Sequence, residues 1–152
     1  MDALDLASDI AKPFESLKLK PYHDPVGYPT VGYGHLLSRN LWENLSKYSS
    51  VTEAEALDLL ELDMKKARDS VKRLIKVPLS LQQEAALIDF TFNCGGGNLQ
   101  ISRLRMRLNK SDYLGAAEEL NGTKWVYANK IRLPGLVRRR RLERAVFLNG
   151  TS

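Results

Sequence analysis

Cysteine, histidine and long apolar runs are all scarce in this chain, and each scarcity removes a class of protein. The single cysteine, Cys94, rules out an intramolecular disulfide, in keeping with folding in a reducing compartment. Lone cysteines are mostly small buried apolar residues. Neither His23 nor His35 has metal-ligand company at a recognised spacing, so no metal and no cofactor is assigned. No apolar stretch approaches the length that spans a bilayer. The opening Met1 to Asp9 lacks the basic start and apolar stretch of a secretory signal, which predicts a protein that begins life in the cytoplasm. Gly95 to Gly97 follow no strand in a phosphate-binding pattern, so a nucleotide loop is not expected.

What is present then bounds the fold. A length of 152 residues with 43% hydrophobic content can bury a proper core, as one compact domain or two small lobes, and excludes disorder. The net charge of +5 hides an asymmetry: residues 1–63 hold 5 Lys/Arg against 11 Asp/Glu, whereas residues 64–152 hold 18 against 7. A C-terminal part at +11 suits a polyanionic partner.

Helix signals dominate. Leu4, Ala7, Ala11 and Phe14 predict a helix over about 4–16, which Pro13 should kink or end close to Glu15. Thr52-Glu53-Ala54-Glu55 and Ser80-Leu81-Gln82-Gln83 both match the capping box. After the first box, Leu57, Leu60, Met64, Ala67, Val71 and Leu74 form a helical stripe, a linking spine that ends before Pro78. After the second, Ala85 to Asn93 has almost no polar face and reads as a buried central helix, terminated by the three glycines. Short amphipathic helices are expected at 99–109 and 112–121, with Asp112 as a cap. An irregular stretch around Trp125 and Tyr127 precedes a last helix beyond Pro134-Gly135. That helix carries Arg138 to Arg141, which suits phosphate contacts. Four consecutive helical residues point around the whole circumference, however, so at least one arginine should turn inward toward a carboxylate.

Residues 14–35 are the most informative string. Lys18 to Tyr22 can run extended, with Pro21 keeping Lys20 out of helix. Asp24-Pro25-Val26-Gly27 has turn residues in turn positions, and Tyr28 to Tyr33 returns as a second strand. Glu15, Asp24 and Thr30 are thereby set around one tight turn. Two carboxylates and a hydroxyl so arranged suit glycosidic hydrolysis, in which one acid protonates the leaving oxygen and another carboxylate manages water or charge.

This string resembles the active-site signature of the phage-type lysozymes, the endolysin or T4 lysozyme-like muramidase family (glycoside hydrolase family 24). Ala86-Leu87-Ile88-Asp89-Phe90-Thr91-Phe92-Asn93-Cys94-Gly95 and the C-terminal Pro134-Gly135-Leu136-Val137-Arg138 are similar to further segments of that family, in order. The resemblance implies an α+β, mostly α-helical, two-lobed fold with a small N-terminal sheet and a helical C-terminal lobe. It also implies one lysozyme domain over 1–152: an N-terminal lobe at about 14–51 with the first helix packed on the other lobe, a linking helix at about 52–76, and a C-terminal lobe at about 77–152.

In function, the resemblance implies cleavage of the β-1,4 bond between N-acetylmuramic acid and N-acetylglucosamine in peptidoglycan, with host lysis. Glu15 would be the general acid, Asp24 the ionised carboxylate and Thr30 the residue that holds water, in an inverting arrangement with carboxyls on the order of 6.5–9.5 Å apart. Leu36, Phe92 and Ser102 would contact the sugar. The anionic partner becomes the bacterial envelope rather than nucleic acid. The protein would wait as a monomer in the host cytoplasm for a holin to release it to the wall, without stable membrane insertion. A lytic transglycosylase, a silent wall-binding module and a basic nucleic-acid-binding protein remain as alternatives.

Overall fold

The structure, a computed structural model, describes residues 1–150. Helix α1 (Ala3–Glu15) starts on a capping box between Asp2 and Asp5 and stops where Ser16 takes a φ of 50°. Pro13 lies within its last turn and has no N–H to give, so Glu15 is its final residue. Strands β1 (Lys18–His23), β2 (Pro29–Gly32) and β3 (His35–Leu36) then form an antiparallel sheet in the order β1-β2-β3, with Tyr22 opposite Thr30 and Thr30 opposite Leu36. The second strand is shorter than its aromatic run predicts. The chain turns at Tyr33-Gly34 and adds the third strand, for which no expectation existed. His35 Nδ1 lies 2.8 Å from Asp63 Oδ2 and ties that strand to the next helix.

Helices α2 (Glu53–Leu74) and α3 (Leu81–Cys94) both open on the reciprocal capping boxes read from the sequence. The α2 stripe is buried at Leu60, Met64, Ala67, Val71 and Leu74, but Leu57 is 39% exposed and Ala56 faces inward instead. The first turn of α2 runs close to β2, where a methyl fits and a leucine does not. Ala85 to Phe90 are entirely buried, and α3 packs against α1, α2 and α7 (Pro134–Asn149), so it is the axis of the C-terminal lobe. Each large apolar side chain there contributes about 1.5–3 kcal/mol by leaving water.

Two helix expectations need correction. Gly95, at φ 90°, does end α3, but Gly96 and Gly97 are helical, inside α4 (Gly96–Ile101). Packing outweighs propensity here, because a Cβ on Gly96 would press on the Ser70 side chain of α2. The helix expected over 99–109 is likewise broken in two. Ser102 adopts extended φ/ψ, closes α4 and caps α5 (Arg103–Asn109).

Asp112 caps α6 (Tyr113–Glu118) by accepting from Gly115 N at 2.9 Å. The stretch read as irregular contains a hairpin, β4 (Tyr127–Ala128) with β5 (Ile131–Arg132). Its two-residue turn, Asn129-Lys130, has positive φ at both positions. Helix α7 starts with Pro134 in the first turn, where its missing N–H costs nothing.

Candidate active site

A cleft of about 650 Å³ runs between the N-terminal sheet and the helical lobe. Its walls come from five places: the end of α1 (Phe14, Glu15), the Asp24 turn, the end of α3 (Asn93, Cys94), α4 (Asn98), and the hairpin with the start of α7. Trp125 meets the core ring of Phe90 edge-on at 5.6 Å, anchoring the hairpin wall to α3.

Both carboxylates predicted from the sequence line this cleft, and each is held on one side only. Asp24 Oδ1 accepts from the backbone N–H groups of Val26, Gly27 and Tyr28 at 3.0, 2.8 and 2.9 Å. Its own N–H donates to Tyr28 O, and Gly27 N–H donates to Asp24 O, closing the turn. Oδ2 carries no hydrogen bond among the described residues. Glu15 Oε1 accepts from Arg139 Nη1 at 2.5 Å. Oε2 lies against Gly34, whose φ of 69° and missing Cβ leave the carboxyl its space.

Arg139 is 2% exposed and its guanidinium is shared. Nε and Nη2 donate to Asp89 at 3.0 and 2.8 Å while Nη1 serves Glu15, with the rings of Phe14 and Phe92 at 5.3 and 5.8 Å. Burial disfavours its charge, but the hydrogen bonds and charges of Asp89 and Glu15 outweigh that, and its pKa rises above the ordinary value. Next to it, fully buried Arg140 holds Glu143 at 2.7 and 2.9 Å, and its Nη1 reaches Cys94 Sγ at 2.8 Å. Burial pushes the Cys94 thiol up to about 11, so it stays a protonated, unreactive part of the wall. Two of the four arginines therefore turn inward, as the helical circumference requires.

Tyr22 lies within electrostatic range of both carboxylates. Burial, then the negative charges of Glu15 and Asp24, raise its hydroxyl pKa, so a single side chain feels both groups.

The remaining sequence candidates are distributed differently. Thr30 is 4% exposed on β2, between Tyr22 of β1 and Leu36 of β3; its hydroxyl donates to Tyr28 O at 2.8 Å, which leaves its lone pairs to accept. Leu36 and Phe92 come together with Gly34 in an adjoining hollow of about 240 Å³. Ser102 joins neither space. It is 5% exposed beside a separate groove, and its hydroxyl is committed to capping, donating to Leu99 O and accepting from Arg105 N. Arg139, Asp89 and Gly34 were missed in the sequence. Two signals were available for the first two: the arginine run, and an Asp inside the largely apolar segment Ala85–Phe92, which requires a buried partner.

Known proteins resemble this chain over most of its length. The sequence model of the Phage lysozyme family matches residues 12–143. The SAR-endolysin of Bacteriophage PS119 is 35% identical over 136 residues, covering 90% of this chain and 77% of that protein. The endolysin of Salmonella phage P22 is 33% identical over 138 residues, 89% and 90% of the two chains. Among solved structures, an endolysin from Escherichia coli O157:H7 phage FAHEc1 superposes with a TM-score of 0.81 at 30% identity, over 98% of this chain and 94% of that one. The muramidase domain of SpmX from Asticaccaulis excentricus gives 0.78 at 29% identity, over 93% and 94%.

Proposed function

The chain belongs to the phage lysozyme family of peptidoglycan hydrolases, and from that premise we propose that it is a muramidase cleaving the β-1,4 bond between N-acetylmuramic acid and N-acetylglucosamine. The observation that carries this reading is the pairing of Glu15 and Asp24 across one cleft, each with one oxygen anchored and one without a hydrogen bond among the described residues.

Glu15 is the general acid. Arg139 fixes Oε1, and Oε2 delivers a proton to the leaving glycosidic oxygen. Asp24, oriented by three amides, turns Oδ2 toward the oxocarbenium-like charge and the attacking water, with inversion at the anomeric carbon. Thr30 accepts a hydrogen bond from that water while its own proton stays on Tyr28 O. Leu36 and Phe92 hold sugar in the adjoining hollow. In this reading the chain has an N-terminal lobe at about 14–51 with the first helix packed on the other lobe, a linking helix at about 52–76 and a C-terminal lobe at about 77–152.

Mass spectrometry of fragments released from purified peptidoglycan tests the assignment. Hydrated reducing muramic ends from the wild type and none from Glu15→Gln are expected, with a loss of about 10²–10⁴-fold in rate. Anhydro ends would move the protein to the transglycosylases, and a Glu15→Gln variant near wild-type rate would remove Glu15 from the mechanism. Thr30→Val should keep the fold and lose most activity. Among the described residues no helix is long and apolar enough to cross a membrane. Host lysis is assigned to the monomer reaching the wall through a separate holin. Wall-associated protein in fractionated cells that lack a holin would contradict that route.

A further inference from the structure

Asp89 lies wholly buried on α3, outside the cleft lining, yet it shares a guanidinium with the proposed acid. The groups that face this cluster are Arg139, Arg140 and Glu143 from α7, Cys94 from α3, Glu15 from α1 and Tyr22 from β1. Arg140 is taken up by Glu143, Cys94 and Trp125 O, so Arg139 is the cation between Asp89 and Glu15.

Resting on the assignment of Glu15 as the acid, we propose that Asp89 is a positioning residue that acts on Glu15 through Arg139. By binding Nε and Nη2 it aims Nη1 at Oε1 and leaves Oε2 for the glycosidic oxygen. Its charge also offsets the guanidinium, so the cation that faces Glu15 is partly neutralised. A lone guanidinium at that distance would favour the ionised, inactive acid. Burial alone would raise the Asp89 pKa, but the Glu143 hydrogen bond and the two arginines lower it below the usual carboxylate range, which keeps its charge in place. Glu143 takes the opposite course, pushed up by burial and by the Asp89 hydrogen bond and charge.

The test is the pH dependence of reducing-end release from soluble glycan strands at constant ionic strength. It compares the wild type, Asp89→Asn, the double variant Asp89→Leu/Arg139→Met, and Glu15→Gln. A general acid must be protonated, so activity falls on the alkaline limb. Asp89→Asn leaves Arg139 unopposed and should move that limb to lower pH, reducing kcat at neutral pH by about tenfold for each unit moved, with KM little changed. The double variant removes cation and anion together and should move the limb above that of the wild type. Opposite displacements are not what a purely structural role produces. An Asp89→Asn limb that coincides with the wild type, in protein shown to be folded by circular dichroism, overturns the proposal, as do two variants displaced the same way. Should Asp89→Asn not fold, the double variant decides alone, a limb at or below wild type being the negative result. Activity in Glu15→Gln would instead overturn the assignment of the acid itself.

Discussion

The turn that carries Asp24 and the helix end that carries Glu15 hold their carboxylates by opposite means. Asp24 is bound by amides two, three and four residues further along its own chain. Glu15 is bound by a side chain 124 residues away, itself fixed by a carboxylate 50 residues before it. The first arrangement forms when a short peptide folds on itself, whereas the second exists only after α1, α3 and α7 have packed. One side of the cleft is therefore a local device, and the other is a property of the assembled core.

The largest effect should come from breaking the long-range side. Arg139→Met leaves Asp89 buried without its cation and should destabilise the protein by about 3–5 kcal/mol, read as a lower Tm in calorimetry. The local side should be more forgiving. Asp24→Ala removes three charge-assisted acceptor contacts and should cost about 2 kcal/mol. Asp24→Asn keeps an acceptor oxygen, so urea unfolding should show well under half that loss although activity collapses. Equal losses for the two variants would mean that the turn depends on charge rather than geometry.

Gly34→Ala sharpens the comparison where the two sides meet. It combines a left-handed backbone position with a methyl aimed at the Glu15 carboxyl, and should cost about 1–2 kcal/mol with a fall in kcat larger than any change in KM.

The smallest effect is a pH response confined to the loop after the sheet. Hydrogen bonds from Tyr48 foremost, then Asn40, Lys47 and Ser38, hold Glu43 at about 2. A carboxyl depressed below its ordinary value stabilises the fold above that ordinary value, and the contribution is lost as pH falls from there through 2. The protection of amides near Tyr48, taken relative to their intrinsic exchange rates, should therefore fall between about pH 4.5 and 2 in the wild type and show no such transition in Glu43→Gln.

Where contacts span three or four residues, sequence and structure coincide. Thr52 with Glu55, Ser80 with Gln83, and Asp24 with Gly27 are read from spacing because each partner lies within one turn of chain. Where neighbours from other elements decide, local reading went astray. Gly96 and Gly97 are helical because α4 packs on α2, and Leu57 gives way to Ala56 under the sheet.

The sequence by itself determined the capped starts of α2 and α3, the buried character of α3, the Asp24 turn and the family signature, since these rest on periodicity and on hydrogen bonds between near neighbours. Only the tertiary structure decided which arginines turn inward, that Asp89 takes two of the three nitrogens of Arg139, and which oxygen of Glu15 is left unengaged. A guanidinium fork has no preferred partner in the unfolded chain. It acquires one when packing removes water and leaves two carboxylates within its reach.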